Sequence, residues 1–247
     1  MKNNQNLNST LDGNKIVIIG GSSGIGLATA KAAAEEGGKV VIVSGNKERI
    51  NKALQQLPSN SEGYAIDASV EENIKTFFNK LGSFDHLVYT AGENISLGEL
   101  STTQLEQARD YFTIRYWGAV AAVKYATPHI NKNGSITLIS GIASQRPGKG
   151  WWLGASICSA MEGFAKAMSV ELAPVRVNIV SPGIVKTNLW NSMTNEQRES
   201  MYQSAAASLP VQRVGESEDI AQAFIYFIKQ PYGTGQMLTV DGGSVRV

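Results

Sequence analysis

The chain has 247 residues, 43% of them apolar, with 22 Lys and Arg against 21 Asp and Glu and a formal charge of +1. That length and apolar content suffice for the core of one α/β domain, and the near-neutral balance without a Lys/Arg-rich run excludes an electrostatic footprint for nucleic acid. The single cysteine, Cys158, excludes an intramolecular disulfide framework and fits a reducing compartment, so a cytoplasmic location is expected.

Residues 1–14 are rich in Asn, with Leu7 and Leu11 as their main apolar side chains. They lack the hydrophobic region of a signal peptide and are expected to form a flexible leader before a single domain at 15–247. No later stretch approaches the roughly 20 uninterrupted apolar residues that a membrane span needs. Short apolar, β-branched runs then recur at 16–19, 40–43, 87–89, 136–139, 175–180 and 237–240, with a weaker one at 63–66. Such runs predict strands buried on both faces. Segments of helical period separate them. Ile157, Met161, Phe164, Met168 and Leu172, for example, share one helix face. The alternation predicts an α/β fold: a single-domain Rossmann-type, doubly wound parallel sheet with helices on both faces and right-handed crossovers. Residues 187–213, polar and Ala-rich, read equally as a lid over a site or a surface helical excursion.

The first strand runs into Gly20-Gly21-Ser22-Ser23-Gly24-Ile25-Gly26, which opens a helical stretch from Leu27. Strand, glycine turn and helix together are the context of a dinucleotide fingerprint. Missing β-carbons let the backbone approach a pyrophosphate, whose charge is favoured at a helix N-terminus. Gly20, Gly24, Ile25 and Gly26 form that cradle, and Ser22 and Ser23 can add hydroxyl donors. The second strand ends Ser44-Gly45-Asn46-Lys47, where an acidic residue would hydrogen-bond the adenosine ribose of NAD. No acid is present, while Ser44, the Gly45 amide, Asn46 and Lys47 can bind a 2′-phosphate. The cofactor expected is therefore NADP(H) in preference to NAD(H). Lys47 reads equally as a solvated residue at a helix start.

The glycine turn resembles the signature of the short-chain dehydrogenase/reductase family. Tyr89-Thr90-Ala91-Gly92, Asp67-Ala68, Arg176 to Gly183 and Thr234 to Gly243 are similar to its later motifs. The resemblance implies that Asp67 and Ala68 meet the adenine, that Ala91 and Gly92 face the ribose, and that Pro182, Gly183, Ile184 and Thr187 line the nicotinamide end. It also implies a homodimer or homotetramer assembled through the long fourth and fifth helices and the C-terminal segment.

In that family a Tyr, a Lys four residues later, an upstream Ser and a helical Asn handle the proton. Aligning Met161-Glu162-Gly163 and Glu171-Leu172-Ala173-Pro174 with the helix after the Tyr puts Gly154 at the Tyr, Cys158 at the Lys, Gly141 at the Ser and Arg115 at the Asn. All four usual side chains are then absent. Ser140 reaches the site only if the strand end is bent, since neighbouring strand residues face opposite ways. Arg115 can fix a carboxylate or phosphate, or pair structurally with Asp110 or Glu171. Cys158 reads more readily as a small packed residue than as a nucleophile. Trp151 and Trp152 with Lys149 form either an aromatic, cationic rim or a subunit contact. His86 and His129 receive no catalytic role, and no cluster has metal-ligand spacing. Two functions stay open: an oxidoreductase with a rearranged site acting on a small-molecule carbonyl or alcohol, and a non-catalytic NADP(H) sensor or partner subunit. A purely structural use of the fold leaves the glycine cradle unexplained.

Overall fold

Seven apolar runs become seven parallel strands in the computed structural model, which describes residues 10–247: β1 (Lys15–Ile19), β2 (Lys39–Ser44), β3 (Glu62–Ala65), β4 (Phe84–Tyr89), β5 (Ile130–Ile139), β6 (Arg176–Pro182) and β7 (Met237–Val240). They form one sheet in the order β3-β2-β1-β4-β5-β6-β7. The order reverses between β1 and β4, and their C-terminal ends part there to leave a crevice. β6 is buried throughout, as a strand covered on both faces must be.

The helices divide between the two faces. On one, α1 (Gly24–Glu35) and α8 (Ser217–Lys229) pack on Ile16, Ile18, Val40 and Ile42. On the other, α3 (Glu71–Leu81), α5 (Ala119–Ala126) and α6 (Trp152–Glu171) cover Val17, Ile19, Leu87 and Tyr89. Successive strand residues thus serve opposite cores, the period-two alternation that a doubly covered sheet requires. α2 (Lys47–Leu54) joins β2 to β3, and α7 (Asn195–Ser208) lies between β6 and α8 with no fully buried residue. Among the described residues no helix is long and apolar enough to cross a membrane.

α4 (Leu105–Phe112) passes into α5 through a π-helical turn, Thr113–Gly118. Tyr89, fully buried on β4, donates from its hydroxyl to the Ile114 carbonyl at 2.5 Å. A donor entering a helical ladder from outside accounts for such a widening. A side chain on Gly118 would stand 2.5 Å from that hydroxyl oxygen, so the glycine makes the approach feasible.

Of the expected flexible leader, residues 1–9 lie outside the described residues, whereas Leu11 is buried in the α1/α8 core and its N–H bonds the Glu36 carbonyl at 2.8 Å. Asn14 Oδ1 lies 3.2 Å from His86 Nε2, and Ser135 Oγ lies 2.9 Å from His86 Nδ1. Packed structure therefore starts before residue 15. Burial drives the His86 pKa down to about 4, which leaves it a neutral pin between β4, β5 and this segment.

Candidate functional site

The crevice at the strand-order reversal opens into a cavity of about 760 Å³. Its first wall is the glycine turn. Gly20 has φ +93°, and a β-carbon there would stand 2.6 Å from the Ala91 nitrogen. Gly26 is equally constrained, because its β-carbon would lie 2.2 Å from the Gly20 carbonyl oxygen. The turn therefore presents backbone where any other residue would present a side chain. Ser23 is the N-cap of α1 but makes no side-chain capping bond, so the first-turn N–H groups face the cavity with the helix dipole behind them. That donor set and shape fit a pyrophosphate.

Of the eighteen residues expected to hold a cofactor, Gly20, Ser22, Ser23, Gly24, Ile25, Gly26, Ser44, Gly45, Asp67, Ala68, Ala91, Gly92, Pro182, Gly183, Ile184 and Thr187 all line this cavity. Asn46 and Lys47 do not. Asn46 spends its side-chain oxygen capping α2, accepting from the Arg49 N–H at 2.9 Å, and Lys47 starts the helix exposed to solvent. Arg49, in the first turn of α2, lines the cavity instead. The sequence signal for it was the capping pattern itself: a helix starting at 47 puts Arg49 in its first turn. Ser22 Oγ donates to Ser44 Oγ at 2.9 Å, which ties the glycine turn to the end of β2. Asp67 accepts from the Ser69 hydroxyl at 2.6 Å and amide at 2.9 Å, bonds that hold its carboxyl below the usual range.

The second wall gathers the other candidates. Arg115, Ser140, Gly141, Gly154 and Cys158 all line the same cavity. A β-carbon on Gly141 would sit 3.3 Å from Cys158 Sγ, and one on Gly154 would meet only the Ala143 β-carbon, at 3.8 Å. Ser140, just past β5, donates to Glu162 Oε1 at 2.7 Å, and Ser144 donates to the same oxygen at 2.6 Å. Glu162 was not singled out from sequence, since nothing in its spacing links α6 to two serines beyond β5. Burial pushes the Cys158 thiol up to about 11, so the thiolate is scarce at neutral pH.

Arg115 projects from the π turn and pairs with neither Asp110 nor Glu171. Its guanidinium donates to the Glu93 carbonyl, lies 3.8 Å from Glu93 Oε2 through Nε, and sits over the Tyr111 ring at 5.0 Å. Gly92 makes room for it, because a β-carbon there would stand 2.8 Å from the guanidinium carbon. The aromatic rim also differs from expectation. Trp151 lines the cavity with Trp190, ring centroids 6.2 Å apart, while Trp152 packs among Ala108, Tyr111, Leu153 and Ile157. Lys149 reaches outward to Glu99 at 2.7 Å. Ala205 and Ser208 of α7, with Leu209, close the cavity's outer side.

Residues 20–244 match the family model described as Enoyl-(Acyl carrier protein) reductase. The short-chain dehydrogenase/reductase ATR9 of Stachybotrys chlorohalonatus is 33% identical over 252 residues, covering 95% of this chain and 98% of that protein. A crystal structure of a small-chain dehydrogenase in complex with NADPH superimposes with a TM-score of 0.85 at 35% identity, over 95% of this chain and 99% of that one. MalC Reductase/Diels-Alderase from Malbranchea aurantiaca superimposes with a TM-score of 0.88 at 27% identity, over 96% and 98% of the two chains.

Proposed function

The chain belongs to the short-chain dehydrogenase/reductase family, and on that premise we propose that it is an oxidoreductase that binds NADP(H) in preference to NAD(H) and acts on a carbonyl or alcohol without the family's Tyr-x-x-x-Lys pair. The observation that carries this is the continuity of one cavity from Arg49, past the glycine turn, to Arg115 and Trp151. It joins a dinucleotide cradle to a second, chemically furnished chamber. The NADPH complex of a 35% identical relative supports the same cofactor class.

In this reading the α1 N-terminus and the glycine turn hold the pyrophosphate. Ser22, Ser44, the Gly45 amide and Arg49 hold a 2′-phosphate, and Asp67 and Ala68 meet the adenine. Ala91 and Gly92 bear on the ribose, and Pro182, Gly183, Ile184 and Thr187 fix the carboxamide end. The bound cofactor supplies or accepts the hydride. Trp151 and Trp190 then flank a substrate whose polar group lies toward Arg115, whose fixed charge stabilises a developing oxyanion. Gly141, Gly154 and Cys158 donate no proton there at neutral pH, and the Ser140 hydroxyl is engaged with Glu162.

The glycines at those positions favour a second reading, a cofactor-binding sensor or partner subunit without turnover. Purified protein incubated with NADPH and a panel of aldehydes and ketones separates the two. Consumption of NADPH that falls at least tenfold in Arg115→Ala is the expected result. Tight NADPH binding without consumption on any of the carbonyls would establish the sensor. Equal affinity for NADH and NADPH, read from tryptophan fluorescence quenching, would remove the cofactor preference.

A further inference from the structure

Two carboxylates line the cavity, Asp67 at its adenine end and Glu93 at the other. Glu93 follows Gly92 beyond the C-terminal end of β4, on the loop that faces the π turn. Its side chain is 39% exposed, with Oε2 turned inward toward Arg115 Nε at 3.8 Å. Both of those atoms are buried, and neither has a hydrogen-bond partner. Opposed buried groups are normally brought within bonding distance, because leaving each unpaired costs free energy. Here they are held slightly apart at the wall of a ligand-sized cavity. The charged or titratable groups around Glu93 are Arg115 on the π turn, Tyr111 on α4 and Tyr89 on β4.

We propose that Glu93 is the acid–base residue of this site and that Arg115 positions it, an inference that rests on the oxidoreductase reading above. In the reductive direction the carbonyl carbon accepts a hydride, two electrons and one hydrogen, from the dihydronicotinamide, which is thereby oxidised. The carbonyl oxygen takes the proton of the Glu93 carboxyl, giving the alcohol and leaving Glu93 as a carboxylate that regains a proton from solvent. Alcohol oxidation runs the same transfers backwards, with the Glu93 carboxylate as base.

The other cavity groups suit this proton less well. Tyr111 sits above its ordinary range because it is buried, and Cys158 is pushed up to about 11, so both hold their protons too firmly at neutral pH. Burial also raises Glu93 from the usual carboxylate range, against the opposing pull of its own backbone N–H, of the Arg115 charge and of the Ile114 N–H. That direction moves a carboxyl toward the working pH, where a group that both gives and takes a proton is most effective. The sign for reduction follows: the protonated form is the acid, so the rate falls as pH rises through the Glu93 pKa, and alcohol oxidation rises over the same interval.

The test uses the full chain with NADPH and carbonyl probes, 4-nitrobenzaldehyde first. Glu93→Gln is expected to lower kcat by about 100-fold or more, with unchanged NADPH affinity and a residual rate that no longer varies with pH through that interval. Glu93→Asp keeps the titrating group one methylene short and is expected to give an intermediate rate with the pH dependence retained. A readout independent of turnover is the infrared stretch of a protonated carboxyl, expected to persist above the ordinary carboxylate range in the wild type and to vanish in Glu93→Gln. In Arg115→Gln its midpoint should move higher, since the cation that lowers it is gone. Wild-type rates and pH profile in Glu93→Gln, or a carboxyl stretch titrating in the ordinary range, overturn the assignment and leave the oxidoreductase standing. A wild type that binds NADPH but consumes none with any probe overturns both.

Discussion

The two walls of the cavity are built by opposite means. The cradle wall is made of backbone and missing side chains: Gly20 and Gly26 are specified because a β-carbon would collide at 2.6 and 2.2 Å, and the helix N–H groups come from the chain itself. The opposite wall is made of side chains from segments far apart in sequence, such as Glu93 with Arg115 and Ser140 with Glu162. Gly154 there is not packed in the same way, since a β-carbon on it meets only Ala143 at 3.8 Å. Gly20 and Gly26 admit no side chain, whereas Gly154 has room for one. Fold membership therefore constrains the first far more tightly than the second.

The sharpest way to break that contrast is to place side chains on each wall. Gly20→Val forces a branched residue to φ +93° and into the Ala91 backbone, with strain of about 1–3 kcal/mol and overpacking of a further ~1–3 kcal/mol. NADPH binding should weaken beyond 100-fold, and thermal denaturation should show a midpoint lower by roughly 2–4 °C per kcal/mol. Gly154→Ala, inside α6, should instead hold its melting temperature or gain up to about 1 kcal/mol from helix propensity, with NADPH affinity unchanged. A Gly154→Ala variant as damaged as Gly20→Val would show that both walls are packed alike.

A smaller effect is expected from the lone thiol. With burial holding Cys158 near 11, alkylation by iodoacetamide at pH 8 should run about 100-fold slower than for a free cysteine of ordinary pKa. The rate should still climb tenfold per pH unit up to pH 10, because the thiolate fraction grows over the whole interval. A rate that levels off near pH 9 would mean an ordinary thiol, and would return Cys158 to consideration as an active group on the wall opposite the cradle.

The same division explains what the sequence disclosed. All seven strands and the cradle were legible because each depends on short-range pattern: β-branched runs, a glycine turn, a following helix. Gly20 to Gly26, Ser44, Asp67 and Thr187 could be placed in one site by local order plus resemblance alone. Glu93, Glu162 and Trp190 could not, since their importance arises only when β4, β5 and α6 are docked and a loop crosses the π turn. The π turn itself follows from Tyr89 on β4 reaching the Ile114 carbonyl 25 residues later, and no helical period announces that bond. Ser140 illustrates the limit from the other side. Strand alternation left its direction open, and the hydroxyl lines the cavity yet is held by Glu162, a partner that spacing does not reveal.

At the boundary between legible and illegible lies the proposed 2′-phosphate pocket, where sequence favoured Asn46 and Lys47 and the cavity is lined by Arg49. The physical reason is the cap: Asn46 must turn its oxygen back to the Arg49 N–H to start α2, and the helix then carries Lys47 away while bringing Arg49 round. A guanidinium can grip a phosphate with two parallel N–H donors, whereas a solvated ammonium offers a screened point charge. Arg49→Ala should therefore raise the NADPH dissociation constant about tenfold, equivalent to ~1.4 kcal/mol, and leave NADH affinity unchanged. Lys47→Ala should change neither. Because the grip is ionic, the wild-type preference for NADPH should shrink as salt rises, and that salt dependence should be flatter in Arg49→Ala. If Lys47→Ala weakens NADPH binding and Arg49→Ala does not, the phosphate is held at the helix start after all, and the cradle wall was fully legible from its sequence.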